Sequence, residues 1–363
     1  MESRQLIDEL LLIAYKNGAS DLIVRTDDRV RMRIAGELVT IPAEKVAELS
    51  REKVVTMIEH LTRFLPTRPD LERLNSLDFH YTLKDASHFR MHVLRTNNNF
   101  GIVARLIPQQ IPGFDELRLP PVIEEITHYR NGLILMAGAT GSGKSTSLAA
   151  MLNHMIQQRP VHAVTLEDPI EFRYSTRHQG TVSQREIGMD VASYKQGLVD
   201  AMRETPNIIV AGEVRGRDEV QLALQASETG HLVMATVHAT TAIGTMQRVM
   251  ASFGREEQVG IRERLAENLR AIIVQKLLPT KDGKGRVVAL EIMVKNSVIK
   301  HFMLDPDHWS EIPRAMEEGY SLYGSQSFDQ HLQQLVEADL IDYDEAVLNA
   351  VFHEDFAIRL GRN

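Results

Sequence analysis

Gly138-Ala139-Thr140-Gly141-Ser142-Gly143-Lys144-Ser145-Thr146 decides how the rest of the chain is read. Ahead of it runs Leu133-Ile134-Leu135-Met136-Ala137, an apolar stretch with the length of a buried strand. Behind it, Ser147 to Gln157 reads as a helix. Strand, glycine-rich loop and helix together turn the pattern into a phosphate site. The glycines let backbone N–H groups curl round an anion with no Cβ in the way. The helix start adds partial positive charge. Lys144 brings a full charge to the β- and γ-phosphates of a nucleotide, and Ser145 offers its hydroxyl to Mg2+.

Working outward, apolar strands alternate with helices from residue 131 onward. Strands are expected at Gly132–Ala137, Val161–Glu167, Asn207–Gly212 and His231–Thr236. Helices are expected at Lys144–Gln157, Ser193–Glu204 and Arg217–Glu228. This alternation predicts an α/β fold, a parallel sheet flanked by helices. Beyond Arg255 helices dominate, with a hairpin at Val274–Leu278 and Arg286–Val294. The tail, Asp329 to Leu360, reads as helical. Residues 1–108 form a separate small α+β unit. An amphipathic helix starts at Leu6 and a second runs from Ser50 to Phe64. Strands with polar–apolar alternation lie between and after them. Pro108 to Pro121 holds four prolines and a glycine, so 109–130 is expected to link the two units and to end in a helix, Val122–Tyr129.

Bulk properties narrow the function. The 363 residues suit about two domains. No apolar run reaches the roughly 18 residues of a membrane span, and the start lacks a signal-peptide core, which predicts a cytoplasmic protein. With no cysteine, disulfides, thiolate catalysis and Cys-ligated zinc are excluded. A formal charge of −8 argues against a broad nucleic-acid surface.

Two acidic positions carry the candidate chemistry. Glu213 follows the strand Asn207–Gly212, expected beside the phosphate-loop strand, where Mg2+ and an attacking water must sit. Glu167, Asp168 and Glu171 cluster after a second apolar strand and suit metal binding and water activation. His231 and His238 flank Leu232–Val237, one at the start of a strand and the other at its end. Arg90, Arg95 and Arg105 lie on strands of the small unit. Each reads either as a solvated face residue or as a charge-neutralising finger for a triphosphate.

Four blocks thus stand in order: Gly138–Ser145, Leu166-Glu-Asp-Pro-Ile-Glu-Phe172, Ala211-Gly-Glu-Val-Arg215 and Glu228–His238. Together they resemble the Walker A, Asp box, Walker B and His box of the secretion ATPases. Within that superfamily the chain is similar to the PilT/PilU type IV pilus retraction ATPases. Leu269–Val287 and the ending from Ser327 lie closer to the PilU side. The resemblance implies a homo-hexameric ring. Each protomer would pair a PAS-like amino-terminal domain with a RecA-like P-loop domain over 131–363, with ATP between them. It also implies roles: Gly138–Thr146 for the phosphates, Ser145 and Glu213 for Mg2+, Glu171 as base, His231 and His238 in the His-box places, and small-domain arginines closing on the nucleotide. A pilus platform protein at the inner membrane and a PilT-like partner ATPase are the expected companions.

Three departures accompany the likeness. His88 replaces the first arginine of the family's Arg-Phe-Arg strand. Gly216 follows Arg215 where an aspartate is usual. Val298 to Leu304 replaces the retraction-linked Ala-Ile-Arg-Asn-Leu-Ile-Arg segment and lacks its last arginine. The expected function is an ATP-driven retraction motor. The alternatives are a pilus-assembly or type II secretion ATPase, a DNA-transport ATPase, and a non-hydrolysing accessory subunit of a PilT-like motor.

Overall fold

The computed structural model describes residues 3–356, apart from 35, 43–45, 47, 66, 84–86, 108–109, 176, 352 and 355. The expected boundary at Pro108 and the last residues of the helical tail, up to Leu360, lie outside the described residues. Contacts divide the chain into one unit of Met1–Gln110 with Glu171–Arg173, and another of Ile111–Ile170 with Tyr174–Asn363.

In the first unit the order is α1 (Ser3–Lys16), β1 (Asp21–Arg25), β2 (Arg31–Ile34), β3 (Glu37–Thr40), α2 (Arg51–Leu61), β4 (Ser76–Thr82), β5 (His88–Thr96) and β6 (Asn99–Ile107). The strands form an antiparallel sheet in the order β3-β2-β1-β6-β5-β4. Helical spacing in α1 buries Ile7, Leu10, Leu11 and Ala14. Ser50 caps α2 by accepting from the Lys53 N–H. On β5 the two-residue period puts Phe89, Met91 and Val93 into the core and turns His88, Arg90 and His92 outward. The short edge strand β3 is exposed at every position and carries no burial signal for sequence reading to find.

The second unit runs α3 (Val122–Thr127), β7 (Gly132–Ala137), α4 (Lys144–Gln158), β8 (His162–Glu167), β9 (Thr181–Glu186), α5 (Tyr194–Ala201), β10 (Ile208–Ala211), α6 (Arg217–Glu228), β11 (Leu232–Val237), α7 (Ala242–Met250) and α8 (Arg255–Asn268). It continues with β12 (Leu269–Pro279), β13 (Arg286–Val294), α9 (Ser297–Leu304), a 3-10 turn (Pro306–Glu311), α10 (Ile312–Glu318), α11 (Tyr320–Tyr323), α12 (Phe328–Glu337) and α13 (Tyr343–Asn349). Its sheet has the order β13-β12-β7-β11-β10-β8-β9. All pairs are parallel except the β12–β13 hairpin. Alternate residues of β7 serve opposite faces. Ile134 and Met136 pack with α3 and α4, while Leu133, Leu135 and Ala137 pack with the remaining helices. That two-sided burial explains why the strand reads as an unbroken apolar run.

Three sequence expectations change. The strand before Glu213 is not the neighbour of the phosphate-loop strand, because β11 lies between them. An apolar run ending in an acid carries no information about which buried strand it pairs with. The stretch expected as a linker over 109–130 belongs, from Ile111 on, to the second unit. Ile123 and Ile126 are core residues, and Phe114 stacks on His154 with ring centroids 4.9 Å apart. Prolines there interrupt regular structure without preventing apolar burial. Finally, β9 is an additional edge strand. Its polar composition, Thr-Val-Ser-Gln-Arg-Glu, hides it from hydrophobic patterning.

Candidate functional site

The register aligns the carboxyl ends of β7, β11, β10 and β8 along one edge of the sheet. Gly138, His238, Glu213 and Asp168 follow these four ends, so the motifs meet where ligands bind in open α/β sheets.

The phosphate loop leaves β7 at Gly138, whose φ is +147°. A Cβ there would meet the Gln275 carbonyl oxygen at 2.5 Å and the Ser142 Oγ at 2.6 Å, so only glycine fits. Gly143 precedes α4 in the left-handed region, with φ 85°. The first turn of α4 then points N–H groups that have no intrahelical partner back toward the loop. Lys144 is buried, and its ammonium donates to the carbonyls of Gly138 at 2.9 Å and Ala139 at 2.7 Å. Ser145 is exposed at the helix start. Ser142 Oγ is buried and has no hydrogen-bond partner among the described residues. A polar atom left unpaired beside a glycine-walled cradle fits an anion such as a nucleotide phosphate.

The loop is held from β12. Gln275, 1% exposed, donates its Nε2–H to the Ser142 carbonyl at 2.8 Å and accepts the Ser147 hydroxyl at its Oε1, also at 2.8 Å. Sequence reading passed over this residue. Its one signal was an amide that, with Lys276 beside it, interrupts the otherwise apolar stretch Ala271–Leu278.

Glu213 has a side chain only 12% exposed. Arg215 reaches its Oε2 at 2.5 Å and His238 Nε2 its Oε1 at 3.0 Å. Burial works to raise the Glu213 carboxyl, but the Arg215 hydrogen bond and charge, with His238 and Lys144, hold it below the usual carboxylate range. Glu213 therefore stays ionised at neutral pH. The backbone around it is pinned as well: Thr236 donates its hydroxyl to the Gly212 carbonyl, and the Val214 N–H donates to Thr236 O at 3.0 Å. A further residue that sequence reading missed is Tyr194, whose Oη lies 3.0 Å from where a Gly212 Cβ would stand. Burial first, then Asp168 and Glu213, push its phenol up, with Arg215 opposing.

The remaining candidates separate. Glu167 accepts from Thr165 Oγ1 at 2.6 Å and from Gln184 Nε2 at 3.0 Å, which gives it a place in the sheet edge. Asp168 is exposed and precedes a cis peptide bond to Pro169. Glu171 is exposed and groups with the first unit. His238 sits at the phosphate-loop end of β11. His231 sits at the other end, seven residues or roughly 20 Å away along extended chain, where its Nδ1 faces the Ala226 carbonyl at 2.9 Å. The structure thus brings one histidine of the pair to the loop, not both.

The three arginines of the first unit also differ. Arg95 donates to the carbonyls of Leu71, Glu72 and Leu74 and stacks over Phe100. Arg105 pairs with the buried Asp21 at 2.8 Å. Among the described residues, Arg90 makes a 3.9 Å approach to the exposed Asp78. Among the described residues no group of three His, Asp or Glu side chains could hold a metal ion. No described helix is long and apolar enough to cross a membrane.

Comparison with known proteins places this geometry. Residues 2–336 match the type II/IV secretion system protein family. The type IV pilus retraction ATPase PilT of Pseudomonas aeruginosa is 36% identical over 350 residues, covering 96% of this chain and 99% of that one. The type IV pilus ATPase PilU of the same organism is 32% identical over 355 residues, covering 97% and 91%. The crystal structure of the pilus retraction motor PilT with bound ADP superposes with a TM-score of 0.86 at 33% identity, covering 96% and 98%. On these matches, over nearly the whole chain, it belongs to the type II/IV secretion system protein family, in its PilT/PilU group.

Proposed function

We propose that this chain is an ATPase that works as a homo-hexameric motor and powers type IV pilus retraction, and with it pilus disassembly and twitching motility. One observation carries the reading: a built phosphate cradle beside an ionised, clamped Glu213, in a chain that matches the ADP-bound PilT fold over 96% of its length.

In this reading Gly138–Thr146 wrap the phosphates and Lys144 balances their charge. Ser145 and Glu213 would hold Mg2+, which when bound neutralises charge on the phosphate oxygens. Glu171 takes the proton of the attacking water. Arg90 is the finger of choice, because Arg95 and Arg105 already serve neighbours in their own unit. His238 couples the γ-phosphate region to Glu213, and His231 faces a neighbouring subunit of the ring. The motor would act in the cytoplasm, docked on a pilus platform protein at the inner membrane.

A second reading is an accessory subunit that binds ATP within another motor's ring. It draws on α9, where the retraction-linked segment has become Val298 to Leu304 and Lys300 is tied to Glu267 at 2.6 Å. Steady-state ATPase assays on the purified chain separate the two. The motor reading expects turnover that Glu213→Gln lowers by about a hundredfold or more while ADP still binds. Lys144→Ala is expected to lose ADP. Normal turnover in Glu213→Gln refutes the site. No turnover in the wild type, with ADP bound, favours the accessory subunit. Deletion of the gene is expected to leave hyperpiliated, immotile cells; bald cells would mean assembly instead.

A further inference from the structure

We infer that Gln275, outside all four motifs, is a positioning residue that sets the shape of the phosphate cradle. The inference rests on the ATPase reading of that loop.

Four contacts converge on this one residue. Its Nε2 donates to the Ser142 carbonyl, and its Oε1 receives the Ser147 hydroxyl from the first turn of α4. Its own backbone carbonyl fills the space that a Cβ on Gly138 would need, and its Nε2 lies 2.8 Å from where a Cβ on Gly143 would stand. Both glycines are thus accounted for by Gln275 as much as by a phosphate. The β12 register puts Val274 opposite Ala137, so Gln275 stands level with the point where the loop departs.

The consequence follows from peptide geometry. A trans peptide points its C=O and N–H in opposite directions. Holding the Ser142 carbonyl against β12 therefore aims the Gly143 N–H away from β12 and into the loop. Without that hold, the Ser142–Gly143 peptide is free to turn, because Gly143 tolerates many backbone conformations. A donor that must be re-aimed on binding weakens phosphate capture, whereas a pre-aimed one does not. The Ser147 bond has a different task. It keeps the amide from flipping, so that nitrogen rather than oxygen faces Ser142.

The two bonds give separable tests with ADP and AMP as probes, by isothermal titration of the purified chain in Mg2+. Gln275→Glu keeps an acceptor for Ser147 but cannot donate to Ser142. It is expected to bind ADP about tenfold more weakly. AMP affinity should be unchanged, since the cradle serves the β-phosphate. Ser147→Ala, which leaves the donor in place, should lose no more than about threefold for ADP. Gln275→Leu should match Gln275→Glu, and if it fails to fold the Glu and Ser147 variants decide alone. Wild-type ADP affinity in Gln275→Glu, or equal losses for ADP and AMP, overturns the inference. Failure of the wild type to bind ADP would instead sink the ATPase reading itself.

Discussion

Glu291 offers a quantitative test of how the second unit is assembled. It lies on β13, only 8% exposed, and its Oε1 accepts from the Ala242 N–H at 2.9 Å. Ala242 opens α7, four residues past His238, so this bond fixes the segment that leaves the site. Burial raises the Glu291 carboxyl to about 7; Asp329 adds to the rise, while the Ala242 bond and the Lys276 charge oppose it. The folded form therefore keeps its proton where the unfolded chain, near 4.5, has lost it. Native protein binds more protons between these values, so stability falls as pH climbs from about 4.5 to about 7 and then levels off. At 1.36 kcal/mol per unit the ionised carboxylate costs about 3 kcal/mol above pH 8. Glu291→Gln removes the charge and keeps an acceptor for Ala242. It should resist urea by about 3 kcal/mol more than wild type at pH 8.5, with the gap shrinking below about 1 kcal/mol at pH 5. Far-UV circular dichroism against urea at both pH values measures this. A gap that is absent at pH 8.5, or the same size at both, would refute burial as the cause.

Gly138→Ala should abolish ADP binding, because the new Cβ meets the Gln275 carbonyl at 2.5 Å in a backbone conformation that L-residues avoid. The strain is worth about 1–3 kcal/mol, so a lower melting temperature should accompany the loss. Arg95→Leu should destabilise the first unit by about 2 kcal/mol, since three carbonyls lose their donor, and a urea midpoint reads that directly. Arg90→Ala should do the opposite, lowering kcat by about a hundredfold with an unchanged urea midpoint, as expected of a charge-neutralising finger. Loss of kcat in Arg95→Leu without loss of stability would reverse that assignment.

What could be read from the chain follows from which interactions are local. The phosphate loop, its strand and its helix are consecutive, and their glycines answer to backbone geometry, so the motif stood out at once. The alternation of apolar strands and helices was equally visible, because β7, β8, β10 and β11 are buried on both faces and read as unbroken runs. Strand order was not visible. Nothing in Ile208–Ala211 says that it pairs with β11 and β8 rather than with β7, since one apolar strand suits any neighbour. The arginines show the same limit. Arg90, Arg95 and Arg105 look alike along the chain and differ only in what the fold sets beside them: a distant aspartate, three carbonyls, a buried carboxylate.

Gln275 marks where local and non-local information meet. A polar amide in Ala-Ile-Ile-Val-Gln-Lys-Leu-Leu breaks the pattern of a buried strand, so the sequence does announce that something must satisfy it. Its partners, Ser142 and Ser147, lie more than a hundred residues earlier, where no periodicity leads. The same reasoning applies to Glu291, a lone acid in Val-Val-Ala-Leu-Glu-Ile-Met-Val that finds its donor at the start of α7. Both exceptions sit on the β12–β13 hairpin and both brace a segment carrying a motif, the phosphate loop in one case and the exit from the His box in the other. Gln275 and Glu291 are therefore struts for the site, and through them the hairpin is part of the machinery rather than packing at its margin.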